Sequence, residues 1–338
     1  MIESFISTIM SGTSLSRGEA SEAMSAIMSG DAPATQIAAF LTALRMKGED
    51  AEEVTGFVET MRANATSVST DGEMILDMCG TGGDGAGTFN ISTIASIVVA
   101  AGGVTIAKHG NRAVSSQCGS ADLLSELGVN IEMPVEYLSS CLKEVGMAFL
   151  YAPLLHPAMK YAAGPRRELK MRTIFNLLGP MTNPSNPTLQ LMGVYDFDLA
   201  GLVAQVLKNV GVKRALIVQG ADGLDEVTLT GATKCMELKD NSIDEIELTP
   251  ESFNLPPLKI EDISGDFDPK TCAIIATEIL SGNKGAKRDI VVANASTGLF
   301  LGGKADTFGD AAELAEEIID SGDATNLLYN LKEFTNRK

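Results

Sequence analysis

Between Leu76 and Ala121 lie two stretches rich in glycine and hydroxyl side chains. The first is Gly80-Thr81-Gly82-Gly83-Asp84-Gly85, with Asn90-Ile91-Ser92-Thr93 behind it. The second is Lys108-His109-Gly110-Asn111-Arg112-Ala113-Val114-Ser115-Ser116, running on to Gly119-Ser120-Ala121-Asp122. Each follows a short apolar run and leads towards a helix start, where a chain can aim several backbone N–H groups at one anion. On the second stretch two cations, an amide and several hydroxyls suit phosphate or pyrophosphate together with a second, neutral group. The two loops read as two walls of a phosphate site.

As a string, Gly80 to Gly85 satisfies G-x-G-x-x-G, so a dinucleotide fold has to be weighed. That fingerprint needs an acidic residue about 20 positions on, at the end of the next strand, to hold a ribose hydroxyl. Here the next strand ends in Lys108-His109, and the dinucleotide reading loses its confirming residue. Taken alone, the first loop is equally well a tight turn; the second loop tips the balance.

Charge distribution agrees with a small anion. The chain carries a net charge of −18, which disfavours coating nucleic acid or an anionic membrane. Residues 105–180 nevertheless hold eight Lys/Arg against six Asp/Glu, a positive island in an acidic chain. Cys79, Cys118, Cys141, Cys235 and Cys272 are widely spaced and form no C-x-x-C, which argues against a disulfide framework or a structural zinc and for a reducing compartment. No basic-then-apolar leader and no long apolar run stand in the chain, so a cytoplasmic, soluble protein is expected.

The elements that must position these loops fall into two textures. Residues 1–65 read as three short helices: one opened by the capping box Ser16-x-x-Glu19, one from about Thr35 to the stop at Gly48, and one opened by Asp50-x-x-Glu53. Such helices bury little alone, so they pack on the rest of the chain or on a second copy, and a homodimer through this region is expected. From about residue 74 short apolar runs alternate with helical patterns, the signature of an α/β domain with a mostly parallel sheet flanked by helices. Strands are expected at Met74–Met78, Val104–Ala107, Met147–Leu150, Leu189–Tyr195 and Ala215–Gln219, with a hairpin over Val227–Leu238 and a last helix near Asp310–Ser321. The proline-rich stretch His156–Pro187 is expected to pass back against the helices. The division is therefore a helical domain over 1–70, joined by part of 156–187, and an α/β domain over 71–338 that binds the anion.

With these motifs in view the chain resembles the anthranilate phosphoribosyltransferases, which carry phosphoribose from phosphoribosyl pyrophosphate (PRPP) to anthranilate in tryptophan biosynthesis. The matching stretches are G-T-G-G-D, N-I-S-T, K-H-G-N-R-A-V-S-S, G-S-A-D, H-P-A-M-K, R-R-E-L, R-T-I-F-N-L-L-G-P-M-T-N-P and D-G-L-D-E, in the family's order and spacing from residue 80 to 226. The resemblance implies PRPP and paired Mg²⁺ in a cleft between the two domains. By position, Gly80, Gly83, Asp84, Thr88 and the run Asn90, Ile91, Ser92, Thr93 would contact PRPP. Lys108, His109, Gly110, Asn111, Arg112, Ala113, Val114, Ser115, Ser116 and Ser120 would close over it. Ser92, Asp225 and Glu226 would hold the metals, while Asn111, Arg166 and the neighbouring Gly80 would meet anthranilate.

The chemistry supports this assignment on its own terms. Displacing pyrophosphate from C1 of ribose leaves negative charge on the departing group, and Mg²⁺ held by carboxylates and a hydroxyl is the electrophile that this needs. Arg166 offers a planar fork to a carboxylate, as Arg167 beside it could. The amine of anthranilate is nucleophilic when neutral, so positioning and leaving-group stabilisation supply most of the rate, and His109 is the candidate to accept its proton or orient the ring. Gln219-Gly220 departs from the family, which often has His before a small residue there. Pyrimidine nucleoside phosphorylase and a non-enzymatic nucleic-acid binder are the alternatives, and the acidic pair and the net charge speak against them.

Overall fold

The computed structural model describes residues 2–70, 72–113, 117–265 and 267–337. Four helices open the chain, one more than the three expected: α1 (Ile2–Met10), α2 (Arg17–Met28), α3 (Ala34–Lys47) and α4 (Ala51–Ala63). Both capping boxes form, Ser16 with Glu19 and Asp50 with Glu53. Glu53 is buried and also accepts the Leu15 N–H at 2.8 Å and the Lys47 ammonium at 2.8 Å, so one carboxylate ties α3 and α4 to the segment leading into α2.

The remainder builds β1 (Leu76–Gly80), α5 (Ile91–Ala101), β2 (Ile106–Gly110), α6 (Ser120–Glu126), α7 (Leu138–Val145), β3 (Met147–Tyr151), α8 (Ala152–Leu155), α9 (Lys160–Leu169) and α10 (Ile174–Met181). It continues through β4 (Leu189–Gly193), α11 (Ala200–Asn209), β5 (Arg214–Gly220), β6 (Thr233–Lys239) and β7 (Ser242–Leu248). Helices α12 (Pro269–Leu280), α13 (Ala286–Leu301), α14 (Phe308–Asp320) and α15 (Asp323–Thr335) close the chain. The seven strands form one sheet in the order β3-β2-β1-β4-β5-β6-β7, parallel from β3 to β5 and antiparallel beyond. The fold is thus a small helical domain beside a larger α/β domain with a mostly parallel sheet flanked by helices.

The chain winds outward from β1 through β2 to β3, then returns to place β4 on the other side of β1. A doubly wound sheet opens a crevice for ligands at such a reversal, beyond the carboxyl ends of the strands. Here Gly80 pairs with Gly193 at those ends. One face of the sheet is covered by α5, α13 and their neighbours. On the other face Met192, Ala215 and Ile217 share a buried cluster with α11, the N-terminal helices and Ala162 and Phe175 of α9 and α10. The stretch 156–187 therefore does lie against the helices, and more regularly than its prolines suggested.

Several boundaries differ from the sequence reading. β1 begins at Leu76 rather than Met74, whose side chain is exposed. β2 runs to Gly110 because the Lys108 ammonium finds the Met78 carbonyl inside the sheet, so Lys108 and His109 belong to the strand and not to the loop. The hairpin is β6–β7; Val227 instead sits in a loop, its N–H held by Asn294 Oδ1 at 3.0 Å. A further helix, α15, follows the one expected to be last.

Candidate active site

Gly80 and Gly193 end adjacent strands, and both must lack side chains. A Cβ on Gly80 would lie 2.4 Å from Asp225 Oδ2, and one on Gly193 1.6 Å from the Asp225 carbonyl oxygen. The loop after β5 therefore leans directly on the carboxyl ends of β1 and β4, and brings its acids to the glycine loop. Gly82 N–H donates to Asp225 Oδ2 at 2.7 Å, and Ser92 N–H, in the first turn of α5, donates to Glu226 Oε1 at 3.1 Å. The glycine loop itself is open backbone, with φ of 67°, 77°, 75° and 64° at Gly82, Gly83, Gly85 and Gly87, a conformation that side chains resist.

Asn90 stands at the N-cap of α5 without capping it; its amide instead donates to the Cys118 carbonyl at 3.0 Å, linking the two loops. Asp84 accepts the Ala86 N–H at 3.3 Å, Thr88 forms an isolated bridge to Ser264, and Ile91 and Thr93 are buried in the first turn of α5. Lys108 is buried with its ammonium 3.5 Å from Ser92 Oγ, close to the acidic pair. Beyond Gly110, Asn111 accepts the Arg112 N–H at 2.8 Å through its side chain, and its carbonyl accepts from Ser120 Oγ. Arg112 pairs with Asp122 at 2.9 Å, and the same carboxylate accepts the Ala113 and Gly119 N–H groups at 2.8 and 3.0 Å. Gly119 is the N-cap of α6, and Ser120 is its first residue. Val114, Ser115 and Ser116 lie outside the described residues.

Asp225 and Glu226 form a strained acidic pair. Burial, aided by Asp84, lifts the Asp225 carboxyl to about 6; burial and Asp225 lift Glu226 to about 8. No arginine or lysine forms an ion pair with either among the described residues. Hard oxygen donors whose repulsion the Gly82 and Ser92 N–H groups and the nearby Lys108 only partly offset suit a divalent cation such as Mg²⁺. Among the described residues no three acidic, histidine or cysteine side chains are placed to bind one metal ion, so a cation here would draw further ligands from Ser92, water or a substrate.

Behind Lys108 lies a pair of buried, uncharged histidines. His109 and His156 face each other with ring centroids 5.1 Å apart, and the buried Nε2 atom of each has no partner among the described residues. The Gly179 carbonyl accepts from the His109 ring and the Thr182 carbonyl from the His156 ring, which leaves each Nε2 as a bare acceptor. Burial pushes the two imidazoles down to about 3 and about 4, so both are neutral at ordinary pH. Arg166, on α9, is half-buried with its guanidinium 5.0 Å from the Phe175 ring centroid, while Arg167 is exposed. Of the two, Arg166 is the one turned inward.

Two residues of this region carried no role in the sequence reading. Asn183 donates its amide to Asp77 Oδ2 and to the Ala107 carbonyl, each at 2.8 Å, beneath the histidines. Arg172 reaches the Gly83 carbonyl from the turn between α9 and α10. Both stand inside the matched stretch R-T-I-F-N-L-L-G-P-M-T-N-P, the one sequence signal that could have marked them.

Comparison with known proteins agrees along the whole chain. Residues 3–65 match the glycosyl transferase family, helical bundle domain, and residues 72–325 the a/b domain of the same family. The anthranilate phosphoribosyltransferase of Moorella thermoacetica is 52% identical over 96% of this chain and 95% of its own. That of Methanobrevibacter smithii is 48% identical over 99% and 100%. Among solved structures, anthranilate phosphoribosyltransferase (TrpD) from Thermus thermophilus superimposes with a TM-score of 0.93 at 38% identity, covering 98% of this chain and 99% of that one. The Saccharomyces cerevisiae enzyme in complex with PRPP and Mg gives 0.90 at 29% identity, covering 99% and 97%. The same enzyme with 4-fluoroanthranilate gives 0.88 at 28%, with the same coverage.

Proposed function

The chain belongs to the anthranilate phosphoribosyltransferase family and moves the 5-phosphoribosyl group of PRPP onto the amine of anthranilate, releasing pyrophosphate, in L-tryptophan biosynthesis; from that premise we propose which residues do so. The observation that carries the assignment is the convergence of three loops on the Gly80–Gly193 crevice, with Asp225 and Glu226 bonded to the N–H groups of Gly82 and Ser92.

Pyrophosphate and ribose phosphate of PRPP lie against Gly80, Gly83, Asp84, Thr88 and the first turn of α5 from Asn90 to Thr93, where backbone N–H groups and the helix dipole favour anions. The second loop, from Lys108 through Ser116 to Ser120, covers the substrate from the opposite side. Ser92, Asp225 and Glu226 hold Mg²⁺, two ions per protomer, which supply the positive charge that a departing pyrophosphate needs.

Anthranilate enters beside Gly80, its carboxylate on the Arg166 fork and its ring near Asn111. His109 offers the bare Nε2 to an amine N–H. A base this weak aims the nitrogen lone pair at C1 of the ribose and does not strip the amine beforehand. As the C1–N bond forms, the C1–O bond to pyrophosphate breaks, and the anilinium nitrogen so produced is acidic enough to release its proton to His109 or water. Pre-organised binding and leaving-group stabilisation account for the rate.

The helical layer, residues 1–70 with part of 156–187, also forms a homodimer interface. Met10 and Met46 are 75% and 83% exposed beside an apolar groove between α1 and α3 that Ile9, Ala39 and Ala43 line, a surface that a second copy would cover. Sedimentation of Met46→Glu tests this: a monomer is expected, and an unchanged dimer places the interface elsewhere. No helix among the described residues is long and apolar enough to cross a membrane, and small cytoplasmic substrates are the partners proposed.

Loss of anthranilate fluorescence on mixing protein, PRPP and Mg²⁺ tests the reading. Phosphorolysis of thymidine, or salt-sensitive retention on DNA without anthranilate consumption, would replace it with one of the alternatives.

A further inference from the structure

Arg172 lies in the short turn between α9 and α10. Lys170 ends α9 in a left-handed conformation, φ 48°, and Asn176 Oδ1 accepts the Thr173 N–H at 3.0 Å to fix the start of α10. Arg172 thus projects from a rigid corner of the helical layer. Its guanidinium lies over the Tyr195 ring, 3.9 Å from the centroid, and its Nη2 donates to the Gly83 carbonyl. It makes no ion pair with a carboxylate among the described residues.

The ring beneath it is equally fixed. Tyr195 N–H donates to Thr81 Oγ1 at 3.0 Å, and Gln219 clamps the same turn, donating to the Tyr195 carbonyl at 2.8 Å and accepting from Phe197 N–H at 3.2 Å. Gln219 is the residue that departs from the family pattern, and its amide has both the donor and the acceptor that this turn requires. Thr81, Tyr195, Arg172 and Gly83 therefore close a ring of contacts around the glycine loop.

We infer that Arg172 is a positioning residue for pyrophosphate, a strap from the helical layer that sets the Gly83–Asp84 peptide plane on the Tyr195 platform. In a trans peptide the carbonyl and the following N–H point in opposite directions. Holding the Gly83 oxygen thus holds the Asp84 N–H on the side away from the arginine. Glycines at 82, 83 and 85, all with positive φ, leave that plane free to flip without a restraint of this kind. Stacking makes the restraint directional: a planar guanidinium lies flat on the ring with a donor at its edge, and an ammonium cannot do both. The inference rests on the PRPP site proposed above.

Steady-state kinetics with each substrate varied separately, alongside thermal unfolding, tests it. Arg172→Ala is expected to raise the KM for PRPP about ten- to a hundredfold, the loss of one charge-assisted hydrogen bond, with a much smaller change for anthranilate. Arg172→Lys does not rescue. Tyr195→Leu reproduces the defect with the arginine still present, Tyr195→Phe retains the wild-type KM for PRPP, and Arg172→Ala with Tyr195→Leu is no worse than either alone. An unchanged KM for PRPP in Arg172→Ala or Tyr195→Leu, equal losses for both substrates, or multiplicative effects in the double variant would overturn it. Wild-type protein that consumes no anthranilate would instead sink the PRPP reading itself, so the two failures are distinct.

Discussion

Asn183 donates its side-chain amide to Asp77 Oδ2 at 2.8 Å, and both residues are wholly enclosed. The other Asp77 oxygen accepts the His109 backbone N–H at 3.2 Å, so this pair fixes the strand that carries Lys108 and His109 to the segment that carries Gly179 and Thr182. Burial raises the Asp77 carboxyl to about 6, with Asn183 and Lys108 pulling it back down. Asn183→Ala removes a donor from a buried carboxylate and also leaves the Ala107 carbonyl unpaired. A loss of about 2–4 kcal/mol in urea unfolding is expected. A loss below about 0.5 kcal/mol, the scatter of a surface substitution, would show that the pair does not hold the strand.

Burial and neighbouring carboxylates lift the pKa of both Asp225 and Glu226, and the metal-free protein bears that cost. Asp225→Asn combined with Glu226→Gln should therefore leave the metal-free protein at least as stable as wild type at pH 7. It should also abolish the rise in melting temperature expected for the wild-type protein on adding Mg²⁺. Turnover is expected to fall by about a hundredfold or more, the scale of losing a principal charge-stabilising group. A Mg²⁺ shift that survives in the double variant would move the metal site off these residues.

Arg166 and Arg167 are neighbours with different exposures, and only Arg166 stacks near Phe175. Arg166→Ala is expected to raise the KM for anthranilate about tenfold or more, with PRPP much less affected, while Arg167→Ala changes neither. Equal effects of Arg166→Ala on both substrates would mean that the fork does not hold the anthranilate carboxylate.

Much of the site was readable because glycine, lysine and acidic residues cluster locally and in a recognisable order. What escaped is non-local. Arg172 meets Gly83 across 89 positions and Asn183 meets Asp77 across 106, and neither contact leaves a periodic trace. The apolar run ends at Ala107, so sequence alone starts the loop at Lys108; the Met78 carbonyl receives the Lys108 ammonium and lets the strand continue. Val227 and Leu229 carry the apolar alternation of a strand, yet both are buried in a loop that the Asp225–Glu226 turn draws inward, so the hairpin forms further along.

His109 and His156 make the fold sensitive to acid. Their folded-state values are about 3 and about 4, below the ordinary 6.5, so the unfolded chain binds protons that the folded chain refuses. Stability from these two groups is complete above pH 6.5 and is lost as pH falls towards 4 and then 3, at about 1.4 kcal/mol per unit for each. Asp77, Asp225 and Glu226 act in the opposite sense: their raised values favour the fold at low pH, and those contributions disappear as pH rises from about 4 to about 6 for the two aspartates and to about 8 for Glu226. Comparing wild type with His109→Gln isolates the imidazole, because all three carboxyls are common to both. The variant is expected to lose stability less steeply below pH 6.5. In the wild-type enzyme kcat should show no inflection near pH 6.5, since His109 is already neutral there. Parallel stability curves for the two proteins, or a His109 ring resonance that titrates near 6.5, would show that the imidazole is not held neutral, and its role as a bare acceptor for the amine would fall with it.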